Sequence, residues 1–542
     1  MTHALGRDIR FGGRIQHSPG DYLPVMTDSV ASRRPVLMIG LDAAEITLIQ
    51  QWMTDGLLPN LAALHRRGVL MELQSTAHWL VGAPWPAFYA SSTPERFGMY
   101  HYLVWRPERM AGERPNPTWM PLEPFWRQLP VSDRRVIAVD VPLCYAPDAY
   151  HGIEVSGWAT HELLQKPGSS PPGLLEEIRR EFGDAPFDEE TAYELSASEC
   201  IAVRDQCVET ARLVGEVGCS LMRKHPWDLA IVCFSSTHRG GHLLWDRKIR
   251  KGRATDVQLE SIANALRDIY IACDAAVGRL VDEVGDDAAV MVFALHGMGP
   301  NNDRTSMLPE MLARVLGDGR DGEQPARRTR LTDRLRKLVP DELRARVKQR
   351  LPQGVQDKLT LHWRSSGVDW SLTEAFVAFC DLDGYIRINL RGRERDGIVP
   401  VERYRSLCER IAEGLRTFRD ADTGEPLVSE IGFAEQIFAD GPKRRYLPDL
   451  VVHWNPSAAA SHRSVVSDSF GSIAWPTPGR HPLGRSGNHR RRGFLIGAGG
   501  PFAAPQTPGG ASILDLAPTA LDLLGVQQPA SFQGRSLLRE SR

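Results

Sequence analysis

The chain has 542 residues, of which 42% are hydrophobic and 24% charged, and its formal net charge is -2. Those proportions belong to an ordinary folded protein of one large domain or two. A balance so near zero excludes a sequence-wide electrostatic grip on nucleic acid or on an anionic membrane. No run of about 18 apolar residues is present to span a bilayer, and residues 1–34 lack the apolar stretch of a signal peptide. The eight cysteines are scattered without a C-x-x-C pair. They read as reduced, buried thiols of a cytoplasmic protein and not as a disulfide framework.

Residues 1–34 read as a flexible lead-in, residues 35–535 as one α/β domain, and residues 536–542 as a tail. Pro35-Val36-Leu37-Met38-Ile39-Gly40-Leu41 is a buried strand that ends on Asp42. A helix over about Glu45–Asp55 is stopped by Gly56, and a second helix runs from Pro59 to Gly68. Asp42 is open to two readings, a helix N-cap or a cation ligand at a strand end. The prolines around Trp85 keep the stretch before it extended. Strands follow at Arg135–Val139 and His151–Gly157. Residues 160–225 are mostly helical by pattern and read as an insertion.

The apolar run Leu229–Val232 is the next strand, and the loop after it carries His238 and His242, with Gly240 and Gly241 between them for unusual backbone angles. A long helix over about Thr255–Val284 turns Leu259, Ile262, Leu266, Ile269, Cys273 and Val277 toward the core. His296 follows the apolar stretch Val290–Leu295, and His489 sits in a Gly487-Asn488-His489 turn before the strand at Gly493–Ile496. A second insertion spans about 318–455. Its basic part, 318–367, reads as the solvated face of an inserted helical pair, and 375–455 as a small α+β segment. Ile513–Leu524 is an amphipathic helix with Pro518 near its start.

Alternating strands and helices of this kind make a doubly wound α/β fold, with a mostly parallel central sheet flanked by helices. Such sheets bind ligands at the carboxyl ends of their strands, where Asp42, the two-histidine stretch and His296 all fall.

In this order the pieces resemble the alkaline phosphatase superfamily, in its type I phosphodiesterase and nucleotide-pyrophosphatase branch. The resemblance rests on Ile39-Gly40-Leu41-Asp42-Ala43, Gly56-Leu57-Leu58-Pro59-Asn60-Leu61, Trp85–Gly98, Trp227-Asp228-Leu229, His296-Gly297-Met298-Gly299, Tyr385–Leu390, Pro448-Asp449-Leu450, Gly487-Asn488-His489 and Asp515–Thr519. It implies an alkaline phosphatase-like sheet, two divalent metals, often zinc, and a Thr or Ser that attacks phosphorus. Matched residue by residue, the surviving metal ligands are Asp42, His242, His296 and His489. The departures are specific. The nucleophile position is Val81, which has no hydroxyl; an expected Asp before His296 is Leu295; an expected Asp four residues before His242 is His238.

His238, His242 and His489 would then form a three-imidazole set with one open position, which suits zinc, with manganese as a second choice, and lowers the pKa of bound water to about 7. Such a water can replace the missing nucleophile. Asp42 and His296 are left as a second, under-ligated site for one further ion. Ser75 and Thr76, with Ser91 and Ser92, are the nearby hydroxyls, but none reads as a replacement nucleophile; His78, His101 and His462 could line the same pocket and read as structural residues. Two functions follow. One is a metal-dependent hydrolase of a small anionic phosphodiester, phosphate ester or related group. The other is an inactive or repurposed relative that binds a ligand or partner in the old cleft.

Overall fold

The computed structural model describes residues 34–538 apart from 148–149, 161–163, 165, 187–194, 247–251, 318–367, 380–381, 457–462, 476–483 and 504–509. The run Val36-Leu-Met-Ile-Gly-Leu forms strand β1 (Val36–Leu41), and every residue of it is buried. Uninterrupted burial is what a strand covered on both faces requires. Val36 and Met38 enter one apolar core, while Leu37, Ile39 and Leu41 enter another.

The sheet around β1 has eight strands. In chain order these are β1, β2 (Gly68–Gln74), β3 (Val136–Val139), β4 (Ile153–Ser156), β5 (Gly168–Ser170), β6 (Leu229–Phe234), β7 (Ala289–Ala294) and, late in the chain, β14 (Arg492–Ala498). Their spatial order is β2-β14-β7-β1-β6-β3-β4-β5. The run from β7 to β4 is parallel. β14 is antiparallel to both β7 and β2, and β5 is antiparallel to β4. This is the doubly wound, mostly parallel sheet expected from the pattern.

One face is covered by helices α1 (Ile46–Thr54), α2 (Pro59–Arg66), α4 (Ala197–Lys224) and α6 (Asp256–Val284), the other chiefly by α3 (Pro84–Ala90) and α9 (Leu516–Leu523). Side-chain capping boxes start α4 at Ser196 and α6 at Thr255. The stripe read on α6 is correct at Ile262, Ile269, Cys273 and Val277. Leu259 is corrected: it is 42% exposed. A period of 3.6 marks a helix face but not how far the neighbouring element extends along it.

The α+β segment read at 375–455 is a second, antiparallel sheet of β9 (Ala375–Val377), β10 (Gly384–Ile388), β11 (Val428–Phe433) and β12 (Leu450–Trp454), in the order β9-β10-β12-β11. With α7 (Leu308–Leu316) and α8 (Val401–Arg416) it encloses an apolar core of its own. The basic stretch 318–367 lies outside the described residues. Among the described residues no helix is long and apolar enough to cross a membrane.

Candidate metal centre

β1, β6 and β7 are parallel neighbours in register, with Gly40 opposite both Cys233 and Phe293. Their carboxyl ends therefore share one edge of the sheet, and the residues just past them meet there. Asp42 follows β1 directly, and His296 stands two residues beyond β7.

The stretch after β6 corrects the sequence reading. It is not a loop but a helix, α5 (Ser236–Leu244). Gly240 and Gly241 disguised it, since glycine is worth about 1 kcal/mol less than alanine inside a helix. They are there for close packing, not for the unusual backbone angles expected of them. A Cβ on Gly240 would lie 2.6 Å from Ile269 Cδ1, and one on Gly241 would lie 2.7 Å from Met298 Cγ. The helix turns the four-residue spacing of His238 and His242 into a common face, with ring centroids 4.7 Å apart.

His489 reaches this face from strand β13 (Gly487–Arg490), which pairs with β8 (Gly297–Pro300) so that His489 stands opposite Met298. Gly487 makes the approach possible, because a Cβ there would sit 2.0 Å from the Gly241 carbonyl oxygen. The contact is fastened by Ser486 N donating to His242 O at 2.8 Å and by His242 Nδ1 at 2.9 Å from Gly487 O. At the other end of α5, Thr237 Oγ1 donates to Asp42 O at 2.6 Å.

The structure thus brings together His238, His242 and His489, whose ligand nitrogens lie within 4.8 Å of one another, all three residues buried. His296 lies beside His489, centroids 4.5 Å apart, but 6.3 Å from His238. Asp42 and His296, expected to share a further ion, are outside the three-residue set. Asp42 Oδ1 accepts from Trp85 Nε1 at 2.9 Å, and Oδ2 lies 2.9 Å from His238 Nδ1. Asp42 is not the helix cap either; Glu45 caps α1, accepting from Thr47 N at 3.2 Å.

Hydrogen-bond bookkeeping fixes the proton positions. Carboxylates and carbonyls only accept. Facing Asp42, His238 carries its proton on Nδ1; facing Gly487 O, His242 does the same. In neutral rings the two Nε2 atoms are then bare lone pairs, yet they stand 2.8 Å apart. Two lone pairs approach so closely only with a cation to share, either a proton that makes one ring an imidazolium or a metal ion. The Nδ1 atoms of His489 and His296 are buried without a hydrogen-bond partner. Each such atom costs about 1–3 kcal/mol if nothing meets it.

The charge states agree. Burial by itself would raise the Asp42 pKa, but the charge and hydrogen bond of His238, with His296 and the Trp85 N–H, hold it well below the usual carboxylate range. Burial, then the neighbouring imidazoles, holds His489 well below the usual imidazole value. Burial also pulls His296 down to about 4. Both rings are neutral at pH 7, the form that can ligate a metal.

A family model for type I phosphodiesterase / nucleotide pyrophosphatase matches residues 36–463. The chain belongs to that family. Membership places it among phosphoryl-group hydrolases of the alkaline phosphatase superfamily. His489 lies beyond the matched stretch, and only the fold returns it to Asp42 and His242. The fold is similar to that of the phosphonoacetate hydrolase from Sinorhizobium meliloti 1021 in complex with phosphonoformate, with a TM-score of 0.50 at 14% identity over 91% of this chain and 96% of that one. The same hydrolase in complex with phosphonoacetate gives a TM-score of 0.46 at 14% identity with the same coverage. No curated protein matches the chain.

Val81, which the sequence resemblance matches to the nucleophile, is buried in a small apolar cluster with Ala77 and Leu382. The nearby hydroxyls are not poised to replace it. Ser75 Oγ accepts from Ala77 N, Ser91 Oγ donates to Leu514 O, and Ser92 Oγ donates to Gln533 Oε1. Thr76 Oγ1 is buried with no hydrogen-bond partner, so no base is hydrogen-bonded to it. His101 Nδ1 accepts from Leu103 N, and His78 packs on Trp79 and His453. His462 lies outside the described residues.

One polar group escaped the sequence reading. His453 on β12 is fully buried, and neither ring nitrogen makes a hydrogen bond. Its Nε2 is 3.8 Å from Asp383 Oδ2, and Arg491 Nη2 donates to Asp383 Oδ1 at 3.3 Å. Burial drives the Asp383 pKa up to about 7 despite Arg491. The only sequence signal was a histidine inside the apolar run Leu450–Trp454.

Proposed function

We propose that this protein is a divalent-metal-dependent phosphoryl-group hydrolase in which His238, His242 and His489 hold the ion and water is the attacking group. The observation that carries the reading is the 2.8 Å approach of two Nε2 atoms whose Nδ1 partners are both acceptors. It is a donor set built for a cation. Three neutral imidazoles suit zinc, with manganese as the second choice. Bound there, the ion supplies Lewis acidity toward a phosphoryl oxygen and lowers the pKa of water to about 7.

The chain's own residues have distinct parts. Asp42 and the Gly487 carbonyl hold the two Nδ1–H groups, which leaves both Nε2 atoms available as ligands. Thr237 pins the start of α5 to the Asp42 backbone. Val81 offers no nucleophile, so no covalent phospho-enzyme forms. Arg485 adds positive charge beside His489, which favours a small anionic phosphodiester, phosphate ester or related substrate. Seven buried cysteines among the described residues, none of them in a disulfide, support a reducing, cytoplasmic setting.

The test is turnover of bis(4-nitrophenyl) phosphate, 4-nitrophenyl phosphate and phosphonoacetate with zinc or manganese, beside His242→Ala. Metal-dependent turnover lost in the variant is expected. Turnover that survives the variant refutes the centre. Metal binding with no turnover on any ester favours the second reading, a repurposed relative, for which the apolar packing of Val81 speaks.

A further inference from the structure

The resemblance to the superfamily implies two metal ions. The residues present do not fit a second one, and we infer that this protein is mononuclear, with Asp42 converted from a metal ligand into the carboxylate that positions His238. The inference rests on the three-histidine centre proposed above.

Three observations carry it. First, both Asp42 oxygens already have partners, Trp85 Nε1 on Oδ1 and His238 Nδ1 on Oδ2, each at 2.9 Å. These hydrogen bonds occupy the carboxylate from two sides in a site where Asp42 is 1% exposed. Second, the residue before His296 is Leu295, fully buried in the apolar core beneath the sheet, so no carboxylate is supplied from β7. Third, with Asp42 engaged, His296 is the one remaining donor expected of the second ion, and a single imidazole does not retain a divalent cation.

The changes at 238 and 295 are coupled through Asp42. A carboxylate at 238 would face the Asp42 carboxylate and call for an intervening cation. An imidazole at 238 instead donates to Asp42. The same substitution that gives the first centre its third imidazole therefore withdraws Asp42 from the second. His238 receives the hydrogen-bonded carboxylate partner that metal-bound histidines commonly have, and removing such a partner lowers metal affinity about 10–100-fold.

The test is the zinc content of the full chain after equilibration with excess zinc and desalting, measured by elemental mass spectrometry, beside Asp42→Asn and Trp85→Phe. One zinc per chain in the wild type is expected. Asp42→Asn should keep that ratio at saturation and lose roughly 10–100-fold in affinity by chelator competition. Its cobalt(II)-loaded form should shift the visible ligand-field bands, a change that a merely structural role does not produce. Trp85→Phe leaves the His238 bond in place and should keep both stoichiometry and bands. Two zinc ions per chain, falling to one in Asp42→Asn, overturn the inference and leave the three-histidine centre standing. No zinc in the folded wild type removes the centre itself. The wild-type count decides between these outcomes even if a variant does not fold.

Discussion

Gly487→Ala is the sharpest test of how the centre is assembled. The added Cβ would stand 2.0 Å from the Gly241 carbonyl oxygen, a backbone atom that no rotamer change can move. Reaching the 3.4 Å of an ordinary contact takes β13 about 1.4 Å away from α5. The 2.9 Å contact between His242 Nδ1 and Gly487 O does not survive such a shift, and His489 moves with its strand. Overpacking costs about 1–3 kcal/mol and the lost hydrogen bond about 1 kcal/mol, so the variant should lose roughly 2–4 kcal/mol of stability. Its zinc affinity should fall at least about tenfold, since His242 loses the partner that orients it. Gly487 does not have positive φ, so backbone strain contributes nothing to this estimate. Urea unfolding and chelator competition measure the two losses. Gly240→Ala is the control, because its Cβ meets the tip of the Ile269 side chain, which can move. Stability within about 0.5 kcal/mol of wild type together with full zinc affinity in Gly487→Ala would refute the reasoning.

Zinc at about 1,000 times its Kd should stabilise the wild type by about 4 kcal/mol; in His489→Ala thermal unfolding should no longer respond to zinc or to chelator. Val81→Thr should restore the family hydroxyl without raising turnover more than a few-fold, because the hydroxyl enters an apolar cluster with no base beside it; a large gain measured on 4-nitrophenyl phosphate would argue against water as the attacking group. Asp383 binds its proton more tightly folded, at about 7, than unfolded, at 3.8, so its buried carboxyl favours the folded state least at high pH. Stability should therefore fall as pH rises from about 4 through 7, by at most roughly 4 kcal/mol. Asp383→Asn should flatten that slope in urea midpoints at pH 5 and pH 8, and an unchanged slope would exclude Asp383 as its source.

The strands beneath the centre were legible because burial on both faces writes itself as continuous apolar runs, as at Val36–Leu41 and Leu229–Phe234. The grouping of the three histidines was legible through the family resemblance, but the helix that carries two of them was not. α5 contains two glycines and a short polar run, and those glycines pack closely on Ile269, Met298 and Gly487, which lie far away in sequence. Asp42 was read as a cap or a ligand because a strand-end carboxylate suits either role. Its partners, Trp85 and His238, are chosen by the fold. His453 was passed over because its environment is made by Asp383 and Arg491 from other segments.

The antiparallel strand β14 separates β2 from β7 and, among the described residues, is the only strand paired with β2 in the sheet. A growing chain that has not yet made residues 492–498 leaves β7 with a bare edge and β2 with nowhere to pair, a state open to wrong pairings. His489 is synthesised immediately before that strand. Capture of the proposed ion would therefore wait until the sheet can close. In a chain that stops short of β14 the first two imidazoles are already present but His489 has no strand to hold it, so retention of the proposed ion would report that the chain has been made and folded through β14.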